Sequence, residues 1–495
     1  MSDLQQLSSK FISVHSLSAA KGHKYKCIIC NSEGSFLCTQ CRSCYCCREH
    51  LLLDDLACHA LLCDRQAAMR EIMKLPLATR TRPEISAKLR SLRDECRRVA
   101  YLESRRHVLE GNNELALPAA ERSLFFAKEI YGNNSVELIP PLLALADVAC
   151  LAGAQDAARG YASRARWLLL GKEAELRVEV ETQLRPHIRH CNELINKLTG
   201  RQDAVLSARM STDQSYNIQK LTRPFGASFS NNALRVPPVL QAYAEAEAET
   251  RVLKAEESSA GETYLTNCIS DEIFRTKDGI RFAYLTARYW ASETRLRTAE
   301  NLYTEAIDSA ALACYYSALA TGSNSISTAL QLYALAKLFI LSMSVGERCA
   351  VAVMEQAQKI LRGTLIQYYA PYVIAVRQYT AESAAEPDSR TLTKVMAEFH
   401  KADRNREEDE RLAFRADIKE SIQHMLFTTD YFEKAFGQKG ATFIECVVCV
   451  ALCLEIVEDA SRPEYVANAW ELIRGVDPAI LHPILHRVFT LVFPY

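Results

Sequence analysis

The residues between Cys27 and Cys63 have the types and spacing of metal ligands. This stretch holds nine of the 18 cysteines in the chain of 495 residues. Two Cys-x2-Cys pairs each place two thiols on one tight turn, and two further pairs have the four-residue spacing that puts both side chains on one helix face. The four pairs are Cys27 with Cys30, Cys38 with Cys41, Cys46 with His50, and His59 with Cys63. Eight such donors predict two zinc ions, because structural zinc is held tetrahedrally by four cysteine or histidine side chains.

Three other cysteines of this stretch fall outside the pairs. Cys44 and Cys47 lie near the predicted ligands, and either could replace one of them; Cys58 is also left over. The alternative to metal is a disulfide knot, which needs an oxidising compartment. The chain starts MSDLQQLSSKFISVHS, without the basic region and apolar run of a secretory signal. We therefore expect a reducing compartment and metal-bound thiolates.

The order of these residues resembles a MYND-type zinc finger, in which two Cys-x2-Cys pairs precede a Tyr-Cys step, here Tyr45-Cys46, and a final His-x3-Cys. The resemblance implies interleaving, with ligands one, two, five and six on the first ion. The first zinc would then take Cys27, Cys30, Cys46 and His50, and the second Cys38, Cys41, His59 and Cys63. Four protein ligands leave no open position for water, so both ions would be structural. Metal binding would also supply folding energy that so short a segment lacks.

Composition predicts a protein with a sizeable core and no general attraction to polyanions. Hydrophobic residues make up 49% of the chain, and the formal net charge is −1. We expect neither nucleic acid nor membrane as a partner. The most apolar window, which starts at Ala441, contains Glu445 and Glu455 and is too short and too charged to span a bilayer. Three cysteines in it recur at helical spacing and are predicted to be core residues: Cys446, Cys449 and Cys453.

Small residues after the finger recur in a pattern that resembles the tetratricopeptide repeat. Gly111 and Gly153 are each followed by small residues five, nine and twelve positions later. These are Ala116, Ala120 and Ser123 in the first unit, and Ala158, Ala162 and Ala165 in the second; Ser104 and Ala146 fill the small position of the preceding helix. A glycine turn followed by small residues is typical of two helices that approach closely.

Two later segments fit the same pattern less completely. The third unit has Ala287 and Trp290 on a first helix, and on a second helix Ala299, Tyr303 and Ala306. The fourth fits only on its second helix, at Ala350, Met354 and Ala357. Strand signals are nearly absent. The predicted fold is therefore all-α, with an N-terminal MYND zinc finger followed by a tetratricopeptide-like α-solenoid.

The predicted organisation has six parts. They are a flexible N-terminus (1–20), the finger (21–66), a helical linker with repeats (67–208), an irregular loop and helix (209–262), further repeats (263–395), and a charged helix with a C-terminal helical cap (396–495). The charge run at 401–411 is interpreted as a solvated helix face, with an electrostatic partner site as the alternative.

Motifs for catalysis are missing from the sequence. It contains no G-x-G fingerprint, no phosphate-binding loop, no G-x-S-x-G elbow and no H-E-x-x-H. The pairs His187/His190 and His482/His486 lack supporting ligands and are interpreted as solvated or core residues. MYND fingers also occur in SET-domain methyltransferases, which need a β-rich domain and an Asn-His motif that this sequence lacks. We therefore expect a protein that is not an enzyme.

The first repeats are similar to those of a family of axonemal proteins that join a MYND finger to tetratricopeptide repeats. The shared features are Ala-x-Pro-Ala-Ala from Ala116, Tyr-Gly-x-x-Ser-Val-Glu-Leu from Tyr131, Ala-Arg-Trp from Ala165, and a histidine, His50, as sixth ligand. The similarity is good over residues 27–170 and patchy to about 310.

This resemblance implies a non-catalytic scaffold in the cytoplasm and in the axoneme of a cilium or flagellum. Its partners would be inner-arm dynein components, another tetratricopeptide protein and the doublet microtubule. The alternatives are a cytosolic or nuclear adaptor and a dynein-arm assembly factor.

Overall fold

The computed structural model of the chain describes residues 10–14, 25–199, 273–274, 276–342, 347–383, 388–404 and 408–494. The predicted irregular part at 209–262 lies outside these residues. The described residues are mostly helical, as predicted. They divide into two compact units, one formed by Met1–Leu168 with Arg404–Ala416 and the other by Leu169–Asp403 with Asp417–Tyr495.

A small antiparallel sheet opens the first unit, in a structure that is otherwise mostly helical among the described residues. Its strands, in spatial order, are β1 (Phe11–Ser13), β2 (Phe36–Cys38) and β3 (Cys44–Tyr45). Residues 11–13 lie in the predicted N-terminal part, 1–20. Phe11 pairs with Cys38 and packs its ring edge-on against Tyr45, with the ring centroids 5.9 Å apart. The aromatic contact and the backbone pairing stabilise this short strand together.

The finger ends in a helix that contains a wider segment. Helix α1 (Arg48–Asp54) passes into a π-helical segment (Asp55–His59) and then into α2 (Ala60–Lys74). In a π segment each amide bonds to the carbonyl five residues back, so side chains at i and i+5 come close to one face. A short helix α3 (Leu77–Arg80) follows.

Four helices after the finger pack on their chain neighbours. They are α4 (Pro83–Leu109), α5 (Asn113–Tyr131), α6 (Ile139–Leu151) and α7 (Gln155–Thr199). Helix α4 packs on α5, α5 on α6, and α2 on α4. Gly111 and Gly153 have φ values of +77° and +75°, which glycine adopts without strain, so each can form the tight turn between two helices. The predicted small residues of both units, including Ser104 and Ala146, are buried.

Nine further helices are described after residue 276, and the first four of them pack in the same solenoid-like way. They are α8 (Lys277–Ala299), α9 (Tyr303–Thr321), α10 (Ile326–Ser342), α11 (Glu347–Ser383), α12 (Ser389–Arg404), α13 (Glu408–Phe436), α14 (Ala441–Val457), α15 (Arg462–Arg474) and α16 (Pro483–Val492). Helices α8 to α11 pack pairwise in chain order, and α11 also packs on α14 and α16. Ala350, Met354 and Ala357 of the predicted fourth unit are fully buried on α11.

The third predicted unit contains two helices, but its register differs from the prediction. Ala299 is the last residue of α8, whereas the prediction had it on the second helix. The turn residue is Asn301, with φ of +62°, and the residues five, nine and twelve positions later are buried alanines: Ala306, Ala310 and Ala313. This is the register of Gly111 and Gly153. Asparagine tolerates the left-handed conformation better than most non-glycine residues, so a pattern that requires glycine does not predict this turn.

Helix α14 is apolar because it is buried in the second unit. Cys446, Cys449 and Cys453 are fully buried, as predicted for core residues. Its two carboxylates are paired, Glu445 with Arg362 and Glu455 with Arg462. Among the described residues, no helix combines the length and apolarity needed to cross a bilayer.

Candidate metal centre

Two turns of the same geometry hold the two Cys-x2-Cys pairs. In the first, the Asn31 amide donates to the Cys27 carbonyl over 2.9 Å, and in the second the Arg42 amide donates to the Cys38 carbonyl over 3.1 Å. Asn31 and Arg42 both have positive φ, 60° and 66°. Each turn thereby curls the backbone around its two thiols.

The first group of donors consists of Cys27, Cys30, Cys46 and His50, whose ligand atoms lie within 4.8 Å of one another. The Cys30 and Cys46 sulfurs are 3.4 Å apart, and His50 Nδ1 is 3.7 Å from Cys27 Sγ and 3.1 Å from Cys46 Sγ. Sulfur atoms on a tetrahedral zinc ion are about 3.8 Å apart, given bonds of ~2.3 Å. The group therefore has the size that a tetrahedral ion requires.

The second group consists of Cys38, Cys41, His59 and Cys63, also within 4.8 Å of one another and all buried or nearly so. Cys38 and Cys63 sulfurs are 3.6 Å apart, and His59 Nε2 is 3.8 Å from Cys41 Sγ. Both groups have the membership that the MYND resemblance implied. Their donor chemistry, three thiols and one imidazole each, fits zinc or a similar soft divalent ion.

One local prediction about these residues was wrong. Cys46 and His50 were expected to share one helical turn, but Cys46 precedes the helix, which begins at Arg48 after Cys47 as its N-cap. The imidazole still reaches the Cys46 thiol, since the chain bends back before the helix begins.

The three left-over cysteines belong to neither group. Cys47 Sγ lies 3.6 Å from Cys46 Sγ but is not close to the other donors. Cys44 and Cys58 are buried, the latter in an apolar cluster with Leu62 and Cys96. Burial raises the pKa of the Cys44 and Cys58 thiols above the ordinary value, so both stay protonated.

Within each group the pKa values of two thiols are shifted in opposite directions. A hydrogen bond from Cys41 lowers the pKa of the Cys38 thiol to about 3, and the same bond raises that of Cys41. Hydrogen bonds with Ser32 lower the pKa of Cys30 to about 6, while loss of solvation raises that of Cys46 to about 12. A bound cation would displace the protons of these thiols, because cysteine binds zinc as the thiolate.

The His59 ring has thiols on one side and the Asp54 carboxylate on the other. Burial alone would lower its pKa, but hydrogen bonds with the Cys38 and Cys63 thiols and the nearby Asp54 carboxylate raise it to about 9. Its Nδ1 lies 3.7 Å from Asp54 Oδ2. A carboxylate beside the outer nitrogen is the usual partner of a histidine that binds metal.

Asp54 was not singled out from the sequence. Its carboxylate is fully buried and accepts a hydrogen bond of 2.8 Å from the Tyr45 hydroxyl; Arg122 Nη2 of helix α5 is 3.5 Å away. Asp54 and His59 are five residues apart, a spacing that an α-helix turns to different faces. Only the π segment between them brings the two side chains together, and no local sequence signal predicts it.

Buried contacts attach the finger to the helices that follow. The His107 ring on α4 lies with Nε2 3.0 Å from the Ala57 carbonyl of the π segment. Cys58 and Leu62 pack with Cys96, Ala100 and residues of α5 in one apolar cluster. The finger and the first helices thus share one core within the first unit.

The two other histidine pairs do not form a further metal site among the described side chains. His482 caps α16, where its Nδ1 accepts from the Leu485 amide, and its own amide donates to Glu445. The side chains of His187 and His190, and those of residues 404–410 in the predicted charge run, lie outside the described residues.

No known protein-family model matches the sequence. The class of the protein is therefore defined by the structure itself: a mostly helical chain that carries two Cys3His groups able to hold metal ions near its N-terminus.

Proposed function

We propose that this chain is a non-catalytic scaffold protein, with a MYND-type finger stabilised by two zinc ions and tetratricopeptide-like helices that bind other proteins. The observation that carries the proposal is the pair of complete four-donor groups in the finger. With four protein donors, an ion has no open position for a substrate or a reacting water, so its role is structural.

Metal analysis of the purified full chain tests the first part of this proposal. We expect two zinc ions per chain by elemental analysis and native mass spectrometry, with release of both by a strong chelator. A metal-free chain that keeps its fold would contradict the proposal. A visible absorption spectrum typical of an iron–sulfur cluster would also contradict it, because thiolate groups can hold such clusters as well.

The tetratricopeptide assignment is supported by one register that recurs three times. Gly111, Gly153 and Asn301 each stand in a turn with positive φ, and each is followed by buried small residues at the same three offsets. Stacked helix pairs of this kind form extended surfaces that suit recognition of a helix or an extended segment of a partner.

The cellular role rests on resemblance to the axonemal proteins that combine a MYND finger with these repeats, such as zinc finger MYND domain-containing protein 12. We propose that the chain helps to seat inner-arm dynein on the doublet microtubule, in the axoneme of a cilium or flagellum, together with another tetratricopeptide protein. The similar stretch, residues 27–170, covers the finger and the first repeats.

Extraction of flagella separates this role from the alternatives. A tagged chain expressed in a flagellated cell should stay on the axoneme after detergent extraction and leave it with inner-arm dynein at high salt. Complete release by detergent would contradict the axonemal scaffold. It would favour an adaptor or an assembly factor in the cytosol, while nuclear accumulation would favour a nuclear adaptor.

A further inference from the structure

Asp54 is a buried carboxylate whose two oxygens are unequally satisfied: Oδ2 has partners in Tyr45 and Arg122, and Oδ1 has none. The side chain of Asp54 is 1% exposed and that of Arg122 is 14% exposed, and the two groups are 3.5 Å apart at the edge of the hydrogen-bond range. Asp54 Oδ1 has no hydrogen-bond partner. A buried carboxylate is costly unless its oxygens are satisfied, so this residue should have a further role.

The neighbouring His59 ring connects Asp54 to the second donor group. Its Nε2 points into the second donor group, while its Nδ1 lies 3.7 Å from Asp54 Oδ2 and also has no hydrogen-bond partner. An imidazole that binds a cation through Nε2 must carry its proton on Nδ1. That proton would then be directed at Asp54.

Asp54 is itself held from two directions. The Tyr45 hydroxyl donates to Oδ2 over 2.8 Å from strand β3, and Arg122 approaches the same oxygen from helix α5. Tyr45 is fully buried and its ring stands perpendicular to that of His59, with centroids 6.1 Å apart. The carboxylate therefore has one orientation relative to the imidazole.

We infer that Asp54 is a positioning residue of the second metal site: it accepts the Nδ1 proton of His59, fixes the ring tautomer and directs Nε2 at the ion. The inference rests on the proposed metal binding. The first group differs, since His50 faces its thiols through Nδ1, whereas His59 faces its group through Nε2 and has Asp54 beside Nδ1. Loss of Asp54 should therefore affect one site only.

The test compares Asp54→Asn with Asp64→Asn in the full chain. Asp64 follows Cys63 in the chain and accepts a hydrogen bond from Gln40. Its substitution removes one negative charge close to the same ion but no contact to a histidine ring. The two zinc dissociation constants are measured by competition with a chromophoric chelator, and a Cys30→Ser background identifies the second site.

We expect Asp54→Asn to weaken the second site about 10- to 100-fold, the usual effect of losing an outer partner of a metal-bound histidine. The first site and the Asp64→Asn control should change by less than about threefold. Cobalt substituted at the second site should also show a changed d–d spectrum in Asp54→Asn. Equal weakening of both sites, or no difference from Asp64→Asn, would overturn the inference.

A second variant keeps the test decisive if Asp54→Asn does not fold. Tyr45→Phe removes only the hydroxyl that holds Asp54 and should weaken the second site in the same selective way, by a smaller factor. A Tyr45→Phe protein with both zinc affinities unchanged would overturn the inference. A wild-type chain that binds no zinc would instead contradict the proposed function on which the inference rests.

Discussion

At the scale of single residues, the finger depends on a few side chains that are buried and tightly packed. The second donor group is nearly closed to solvent, and every member is needed to complete a tetrahedral set. Under the proposed metal binding, loss of one donor should release the ion and remove part of the folding energy of the segment.

Replacing Cys38 with Ser should leave at most one zinc ion per chain and unfold the finger around the second site. A hydroxyl is a much poorer zinc ligand than a thiolate at neutral pH. Elemental analysis and near-ultraviolet circular dichroism measure the two effects. Cys47→Ser is the control and should retain two ions, because Cys47 belongs to neither group. A Cys38→Ser protein with two ions would contradict the ligand assignment.

Gly34 is also tightly packed. A Cβ at this position would lie 2.0 Å from Cys44 Sγ. We expect Gly34→Ala to lower stability by roughly 1–3 kcal/mol through overpacking, seen as a lower midpoint of thermal unfolding of the zinc-loaded protein. Gly160 on helix α7 has open space around it, and Gly160→Ala should raise stability by about 0.5–1 kcal/mol. Equal midpoints for the two variants would show that the Gly34 contact is not tight.

At the scale of helices, the spacing of small residues decides how closely neighbouring helices approach. Ala158 on α7 is fully buried, whereas the adjacent Ala157 is exposed. The two positions have the same residue type and the same local helix propensity. They differ only in what surrounds them in the folded protein.

Ala158→Phe should separate the helices and lower stability by roughly 1–3 kcal/mol, while Ala157→Phe should change it by less than about 0.5 kcal/mol. Chemical denaturation followed by far-ultraviolet circular dichroism gives both values. Equal effects at the two positions would show that the repeat register is wrong.

The turn at Asn301 gives an independent measure of the same register. A β-branched residue in the left-handed conformation costs about 1–2 kcal/mol, so Asn301→Val should be destabilising by that amount. Asn301→Gly should be neutral or stabilising, because glycine occupies the equivalent turns at Gly111 and Gly153. A Val variant as stable as the Gly variant would contradict the positive φ at this turn.

At the scale of the whole molecule, all eight donors belong to the first compact unit. The finger shares a buried core with α4 and α5, through the Cys58 cluster and the His107 contact to Ala57. A ligand that binds only the folded form stabilises the unit that contains it. Metal should therefore affect the finger and the helices packed on it together.

Chelation of the full chain should increase hydrogen exchange in residues 25–131 and leave α8 to α11 unchanged. Exchange measured by mass spectrometry, with and without a zinc chelator, tests this directly. Adding zinc back should restore protection. Increased exchange confined to residues 25–66 would show that the finger folds independently of α4 and α5.

The sequence by itself determined the chemistry of the finger and the alternation of helices after it. Thiols and imidazoles at spacings of three and four residues are typical of metal ligands, and the members of each pair are close in the chain. The small residues after Gly111 and Gly153 are likewise a local signal, because helix geometry alone places them on one face.

Tertiary structure alone decided the contacts that cross between distant segments. Phe11 forms a strand only because its backbone pairs with Cys38 and its ring packs on Tyr45. Asp54 meets His59 only because a π segment intervenes, and it meets Arg122 only because α5 packs on the finger. Such contacts depend on packing among elements far apart in the chain, so the spacing of residues within a segment does not predict them.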